Sequence, residues 1–377
     1  MNDAALNPSR AIPLAKPDIG RRELELVTDV LTSGVLALGP YAARFELQIA
    51  GLAGRREGIA CSSGTAGLHL GVVALGLGEA DEVITTPFSF VASANCLLYD
   101  GVIPRFVDIE EDSLGLDPDQ VEAAISPRTR AILPVHVFGR PCRIDALTAI
   151  ARRNGWFLIE DACEALGSTV DGRPLGSFGD VSVFAFYPNK QITTGEGGMV
   201  VTDDVALAET MRSLRNQGRD ADGTWLRHLR LGYNYRLDEM SAALGVAQVE
   251  RLAELRRGRA RVVAAYEHEL VRHDRIRLPR VAPGEEVDWF VYVVRLDPSI
   301  DRDVVMMRLA RAGVPARPYF APLHLQPVYR DRFGYGPGDF PITERVAAST
   351  LALPFSSTLS DDDVGYVAST LVEAIDA

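Results

Sequence analysis

The chain has 377 residues, of which 47% are hydrophobic and 24% charged, and its formal net charge is −12. This composition is typical of a globular protein with a large and a smaller domain, and the negative charge argues against nonspecific nucleic-acid binding. No apolar run approaches the roughly 20 residues of a membrane span, and residues 1–16 lack the apolar core of a signal peptide, so we expect a cytoplasmic protein without a membrane partner. The four cysteines and six histidines are dispersed, which predicts neither a disulfide framework nor a metal site.

Seven short apolar segments predict the strands of one sheet. We expect strands at 58–62, 82–87, 104–109, 131–137, 156–161, 180–186 and 198–202, and helices at 65–77, 117–124 and 144–154. The alternation predicts an α/β fold with a doubly wound, seven-stranded, mostly parallel sheet and helices on both faces. Little helix separates the last three strands, so one of them can run antiparallel.

The segments that flank the sheet predict two domains. Residues 20–32 are typical of an amphipathic helix on the outside of the sheet, and 238–270 form one long helical pattern interrupted only at Gly258. A strand-like segment and two helical segments follow, at 289–296, 302–312 and 360–375. We therefore predict a large domain at 1–250, with an N-terminal arm and helix, and a smaller C-terminal α+β domain at 251–377.

Lys190 follows an apolar strand and begins a polar, glycine-rich turn. A lysine at such a position can project its amine into a cleft, as Schiff-base chemistry requires, although a surface lysine in a loop is the alternative. Asp161 ends the preceding buried strand. Enzymes that use pyridoxal phosphate (PLP) need this pair, because the lysine carries the cofactor and the carboxylate keeps the pyridine nitrogen protonated.

Small residues join the first strand to the first helix, in the segment SSGTAGL at 62–68. Amides at a helix N-terminus bind anions, although serine, glycine and threonine before a helix are more often only a cap. Since Lys190 and Asp161 are present, we predict that Gly64 and Thr65 hold the cofactor phosphate. Phe90 follows the second strand, where it can stack on the pyridine ring or belong to the core.

Two later segments are further candidates. Asn234 precedes the long helix and can be an N-terminal cap or a turn residue. The Pro-rich segment 317–324 carries Tyr319 and His324; its composition suits a lid over a substrate and equally a buried structural loop. The arginines at 251–261 are interpreted as a solvated helix face.

The chain resembles the DegT/StrS family of PLP-dependent sugar aminotransferases, of fold type I, the aspartate aminotransferase superfamily. The matching segments are, in chain order, SGVLALGP, SSGTAGL, TTPFSF, EDACEALGS, FYPNKQITTGEGG, GYNYRLDE and RPYFAPLH. The resemblance implies that Lys190 forms the internal aldimine, that Asp161 pairs with the pyridine nitrogen and that Phe90 stacks on the ring. It also implies that Gly64 and Thr65 bind the phosphate, and that Asn234 reaches the phosphate of the neighbouring subunit in an obligatory homodimer.

Two positions of this chain differ from the residues found in many relatives, and a third keeps the family residue. Many relatives carry a serine where this chain has Ala185, so one phosphate contact must come from elsewhere. Many have glutamine or histidine, near the phenolic oxygen of the cofactor, where this chain has Glu164. Relatives that became sugar dehydratases replace the lysine by histidine, so Lys190 favours transamination.

The resemblance implies transfer of an amino group from L-glutamate to a keto sugar nucleotide, in the biosynthesis of an amino sugar for a polysaccharide or an antibiotic. By analogy we expect the acceptor to be a 4-keto-6-deoxy hexose. The alternatives are a 3-keto sugar or keto-inositol acceptor, a PLP-dependent sugar dehydratase, and a PLP-binding regulatory protein without turnover. Which nucleotide and which hexose are used depends on loop contacts that the sequence does not reveal.

Overall fold

The computed structural model describes residues 12–220 and 227–377. The strands are β1 Glu57–Cys61, β2 Glu82–Thr85, β3 Ile103–Phe106, β4 Thr129–Leu133, β5 Phe157–Asp161, β6 Thr169–Val170, β7 Arg173–Pro174, β8 Val181–Ala185, β9 Gly198–Thr202, β10 Ile276–Arg277, β11 Glu285–Glu286, β12 Tyr292–Leu296 and β13 Thr350–Leu353. The α-helices are α1 Arg21–Ser33, α2 Pro40–Leu52, α3 Gly64–Ala74, α4 Ala92–Leu98, α5 Pro118–Ala123, α6 Ile144–Asn154, α7 Val205–Arg215, α8 Glu239–Glu250, α9 Leu252–Leu270, α10 Arg302–Arg311, α11 Pro327–Phe333, α12 Pro341–Ser349 and α13 Asp361–Asp376. Within the described ranges, no helix is long and apolar enough to cross a membrane.

The main sheet has seven strands in the order β1-β9-β8-β5-β4-β2-β3. The pairs from β8 to β3 are parallel, whereas β9 runs antiparallel to both β1 and β8. The predicted α/β fold, with a seven-stranded, mostly parallel sheet and one antiparallel strand among the last three, is therefore confirmed.

Successive residues of the central strands point to opposite faces of the sheet. Leu158 of β5 belongs to a core built with α1, α2, α6 and α8, whereas Ile159 belongs to a core built with α3, α4 and α7. Because a parallel strand is buried on both faces, its sequence is continuously apolar. Helices therefore cover both faces, as the alternation of segments predicted.

A separate core is built mainly by residues that follow α8 in the chain, together with Ile12. Strands β10, β12 and β13 form an antiparallel sheet, on which residues of α9, α10 and α13 pack. The predicted break at Gly258 is wrong, because the helical pattern is interrupted at Arg251, between α8 and α9. Gly258 instead allows close packing, since an added Cβ would lie 2.7 Å from the Ser357 carbonyl oxygen. The boundary between residues 250 and 251 stays a prediction.

Candidate active site

A cavity of about 640 Å³ opens beside the carboxyl ends of β5 and β8 and the N-terminus of α3, where open α/β sheets bind their ligands. Its volume is within the range of small-molecule sites. The predicted site residues that line it are Gly64, Thr65, Phe90, Asp161, Glu164, Lys190 and Tyr319. The fold thus brings together residues that lie far apart in the sequence.

Lys190 lies in the loop that follows β8, and its amine faces this cavity. Lys190 Nζ lies 3.4 Å from Glu164 Oε1 and 3.9 Å from the centroid of the Phe290 ring. The ring covers one side of the amine with an apolar surface, so the lysine is screened from solvent while it keeps one charged neighbour. Phe290 was not found from the sequence, because its segment packs here only in the folded chain.

Arg259 anchors the lysine loop from α9. Its guanidinium donates to the carbonyl oxygens of Lys190 at 2.6 Å, Trp289 at 3.3 Å and Phe290 at 3.2 Å. Burial lowers the pKa of Arg259 to about 10, so the side chain remains charged at neutral pH. The interpretation of residues 251–261 as a solvated face is therefore wrong at Arg259, which is 5% exposed.

Asp161 is the last residue of β5 and is buried. Its Oδ2 accepts a hydrogen bond from Ser93 Oγ at 2.7 Å, and its Oδ1 accepts one from the Cys163 amide at 3.1 Å. Ser93 Oγ also lies 2.8 Å from Ser89 Oγ. These contacts fix the orientation of the carboxylate towards the cavity. Ser93 was not predicted from the sequence, because serine in the first turn of a helix is ordinarily a structural residue.

Glu164 contacts the amine of the lysine. Its Oε2 accepts a hydrogen bond from the Phe138 amide at 2.9 Å, while Oε1 faces Lys190 Nζ. Burial raises the pKa of Glu164, and the positive charge of Lys190 acts in the opposite direction. The structure thus places an ionisable carboxyl group 3.4 Å from the amine.

The turn before α3 is shaped for close approach of a ligand to the backbone. Ser63 caps the helix, with its Oγ accepting from the Ala66 amide at 3.1 Å. A Cβ on Gly64 would lie 2.7 Å from Ala185 Cβ and 2.9 Å from Cys163 Sγ, so only glycine fits. The first amides of a helix lack intrahelical partners and favour an anion.

These groups match the three polar ends of PLP. The amides at Gly64 and Thr65 suit the phosphate, the Asp161 carboxylate suits the ring nitrogen, and the Lys190 amine suits the aldehyde carbon. The side chain at 185 is a methyl group that lines the cavity, so it supplies no hydrogen bond to a phosphate. The residues that are present therefore fit the cofactor.

The aromatic candidates occupy different positions. Phe90 lines the cavity and is 61% exposed, whereas its neighbour Phe88 is buried in the core. Tyr319 lines the cavity and stacks on Phe320, with ring centroids 5.1 Å apart. Phe90 and Tyr319 thus both remain available to a ligand.

His324 does not face the cavity. Its side chain is fully buried, its Nε2 lies 3.0 Å from Glu344 Oε1, and its ring packs edge-on against Phe340. This correction to the expected substrate contact has a simple physical reason, since the short helical turn Leu323–Leu325 directs the imidazole into the protein. In this part of the Pro-rich segment, the alternative of a buried structural loop is the one observed.

Asn234 is exposed and lies outside the cavity of its own chain. It forms a backbone bridge with Asn216. The residue that caps α8 is Asp238, whose carboxylate accepts from the Ser241 amide at 2.9 Å. The interpretation of Asn234 as the helix cap is therefore wrong, and a contact with a second subunit stays a prediction.

Comparison with known proteins agrees with this site. Residues 17–372 match the DegT/DnrJ/EryC1/StrS aminotransferase family. GDP-perosamine synthase of Caulobacter vibrioides is 39% identical, over 97% of this chain and 98% of its own. The structure of DesI with its TDP-sugar product has a TM-score of 0.90 at 37% identity, covering 97% of this chain and 94% of that one. DesV of S. venezuelae, solved with a ketimine intermediate, has a TM-score of 0.88 at 35% identity and covers 94% of each chain.

The agreement extends from the individual site residues to the whole fold. The motifs that carry Gly64, Asp161 and Lys190 lie within the matched residues. All three residues line the same cavity. The chain is therefore an enzyme that belongs to the DegT/DnrJ/EryC1/StrS family of PLP-dependent aminotransferases, as the resemblance in its sequence predicted.

Proposed function

We propose that this chain transfers an amino group from L-glutamate to a nucleotide-linked keto sugar, at C4 of a 4-keto-6-deoxy hexose, with PLP as its cofactor. The observation that carries the proposal is the common cavity of Lys190, Asp161 and the N-terminus of α3. A nucleotide-linked sugar as the acceptor is supported by the relatives, one named GDP-perosamine synthase and another solved with a TDP-sugar product. The C4 position is proposed by analogy with similar sequences.

Each polar end of the cofactor has a proposed partner in this chain. Gly64 and Thr65 would hold the phosphate, Asp161 the ring nitrogen and Lys190 the aldehyde carbon, while Phe90 would contact the ring. When bound, PLP supplies an electron sink for the carbon that gains or loses the amino group. Asp161 would support that chemistry, because a carboxylate beside the ring nitrogen would keep that nitrogen protonated.

Lys190 is proposed to move the proton during transfer. The free Nζ of Lys190 would take the proton from the carbon of the amino donor that carries the amino group, and in the reverse half of the exchange it would give a proton to the former keto carbon of the acceptor. Glu164 accepts a hydrogen bond from Nζ and limits how far the amine can swing. The Phe290 ring keeps water from the side of the amine that it covers.

We further propose a homodimer in which each active site uses Asn234 of the other subunit. Apolar side chains are exposed in the segment of Asn234 and beside the start of α8, among them Leu231 at 86% and Leu36 at 46%. Leu36 lies next to the start of α8, since its carbonyl oxygen accepts from the Glu239 amide at 3.0 Å. An exposed apolar patch of this kind is expected to be covered in an assembly.

A panel of acceptors tests the proposed reaction. The PLP-loaded protein and L-glutamate are incubated with 4-keto and 3-keto sugar nucleotides and with a free keto-inositol, and mass spectrometry detects the amino products and 2-oxoglutarate. We expect an amino sugar nucleotide from the 4-keto substrate, and none with Lys190→Ala. Amination of the inositol or the 3-keto sugar alone would reject the proposed acceptor, and loss of a hydroxyl without incorporation of nitrogen would indicate a dehydratase. No product from any substrate would support the regulatory alternative.

A further inference from the structure

A second cavity, of about 320 Å³, lies behind the wall of the active site. Phe138 connects the two, because it lines the second cavity while its amide donates to Glu164 at 2.9 Å. The Phe138 ring also stacks on Phe320, which lines the active-site cavity, with centroids 5.3 Å apart. The two cavities have no lining residue in common, so the second one is a separate space.

Arg140 lines the second cavity and is 7% exposed. Its Nε is buried without a hydrogen-bond partner, and within residues 12–220 and 227–377 its guanidinium forms no ion pair. Asp112 and Glu285 attract it only from a longer distance. Burial lowers the pKa of Arg140, but an arginine cannot discard its charge as a buried lysine can. A charge that is largely removed from water and has no ion-pair partner in the protein is stabilised by an anion that reaches it.

The carboxylates that line the cavity are already used by other arginines. Glu111 lies 2.8 Å from Arg295 Nη2, 3.3 Å from Arg277 Nη1 and 2.7 Å from Arg345 Nη2. Asp112 pairs with Arg277. The lining therefore contains four arginines against two carboxylates, the fourth being Arg280. This excess of positive charge favours an anion in the cavity.

The remaining wall of the cavity is largely apolar. It includes Trp289, Val281 and Val293 as well as Phe138. A tryptophan ring offers a flat surface to an apolar or aromatic group. The occupant that fits best therefore combines a charged end near Arg140 with an apolar body. An inorganic ion has no apolar body and fits less well.

We propose that this cavity binds a small organic anion, whose carboxylate or phosphate group pairs with the Arg140 guanidinium while its apolar part packs against Trp289. The planar fork of arginine donates two parallel hydrogen bonds to either group. The site is distinct from the active-site cavity, and the proposal does not depend on which acceptor the active site uses.

Calorimetric titration of the PLP-loaded protein tests the site, because the cofactor then occupies the phosphate cradle at Gly64. The probes are benzoate and phenyl phosphate, which distinguish the two head groups, and benzyl alcohol as the uncharged control. We expect one of the two anions to bind once per chain and benzyl alcohol to bind at least about tenfold more weakly. Arg140→Met should weaken the binding of that anion roughly 10- to 100-fold, as loss of hydrogen bonds to a charged group predicts.

Arg152→Met is the matched control, since Arg152 is an exposed arginine at the end of α6, and it should leave binding unchanged. Arg140→Lys keeps the charge without the planar fork; it should also weaken binding, and it replaces Arg140→Met if that variant does not fold. The proposal is overturned if neither anion binds to the wild-type protein, if benzyl alcohol binds as tightly as the anions, or if the Arg140 variants bind like Arg152→Met.

Discussion

The Asp161→Asn variant tests the assignment of the cofactor site most directly. Asparagine has the shape of aspartate, so its Oδ1 can still accept from the Cys163 amide and its Nδ2 can donate to Ser93 Oγ. The free energy of unfolding should therefore change by no more than about 1 kcal/mol. The variant nevertheless lacks the negative charge that is proposed to keep the ring nitrogen protonated.

The magnitude of the expected loss follows from the burial of this pair. Breaking a buried charge pair by removing one partner costs about 3–5 kcal/mol, and each ~1.4 kcal/mol of transition-state free energy is a factor of ten in rate. Asp161 is only 4% exposed, so little of that loss is recovered by solvent. We expect kcat to fall by roughly two to four orders of magnitude.

The assay compares kcat at saturating PLP with unfolding by urea, for the wild type, Asp161→Asn and Ser93→Ala. Ser93→Ala removes one hydrogen bond to the carboxylate but keeps its charge, so its kcat should lie between those of the other two proteins. A kcat for Asp161→Asn within about threefold of the wild type would refute the reasoning. Asp161 would then be a structural residue at the end of β5.

Three further predictions concern other parts of the molecule. Lys190→Ala and Asn234→Ala should each be inactive at low PLP, and mixing them under conditions of subunit exchange should restore activity in heterodimers with one intact site; no recovery, with normal PLP binding by Asn234→Ala, would contradict a shared site. Ala185→Ser should lower the Kd for PLP about tenfold by adding a hydrogen bond to the phosphate, and an unchanged Kd in a PLP titration would show that residue 185 does not reach it. Burial raises the pKa of Asp288 from 3.8 to about 6, so its contribution to stability is fully present below pH 4 and is lost as the pH rises through about 6. Asp288→Asn should therefore gain about 3 kcal/mol relative to the wild type between pH 4 and pH 8 in urea unfolding, and parallel pH profiles of the two proteins would contradict this.

Continuous apolar runs made the main sheet predictable, because strands buried on both faces need apolar side chains at every position. Three helices of that part of the fold, α2, α4 and α7, were not predicted. For α7 the sequence did carry a signal, since Asp204 caps it by accepting from the Ala206 and Leu207 amides. For α2 the carboxylate that accepts from its first amides belongs to Glu239, in α8. A capping group so distant in the chain leaves no local signal, and the only start signal that the sequence offers for α2 within the described residues is Pro40 in its first turn.

The residues of the candidate site fall into the same two groups, those that local motifs predict and those that depend on contacts between distant segments. Lys190, Asp161 and Gly64 stand in local motifs whose residue types suit one cofactor, so sequence reasoning placed them in one cavity. Ser93 and Arg259 act through contacts that only the folded chain creates. His324 was misplaced because an imidazole in a Pro-rich loop has the same sequence signature whether it points to a ligand or into the core.

The anchoring of the lysine loop by Arg259 limits how this enzyme can be recombined with its relatives. The main chain at Lys190 is held by a guanidinium from α9, and the same guanidinium holds the carbonyl oxygens of Trp289 and Phe290. A chimera joined between residues 250 and 251 would therefore take part of the support of the lysine from the other parent. Productive hybrids should keep α9, the 288–290 segment and the 187–192 loop from one parent, even when the sugar-binding surface comes from another.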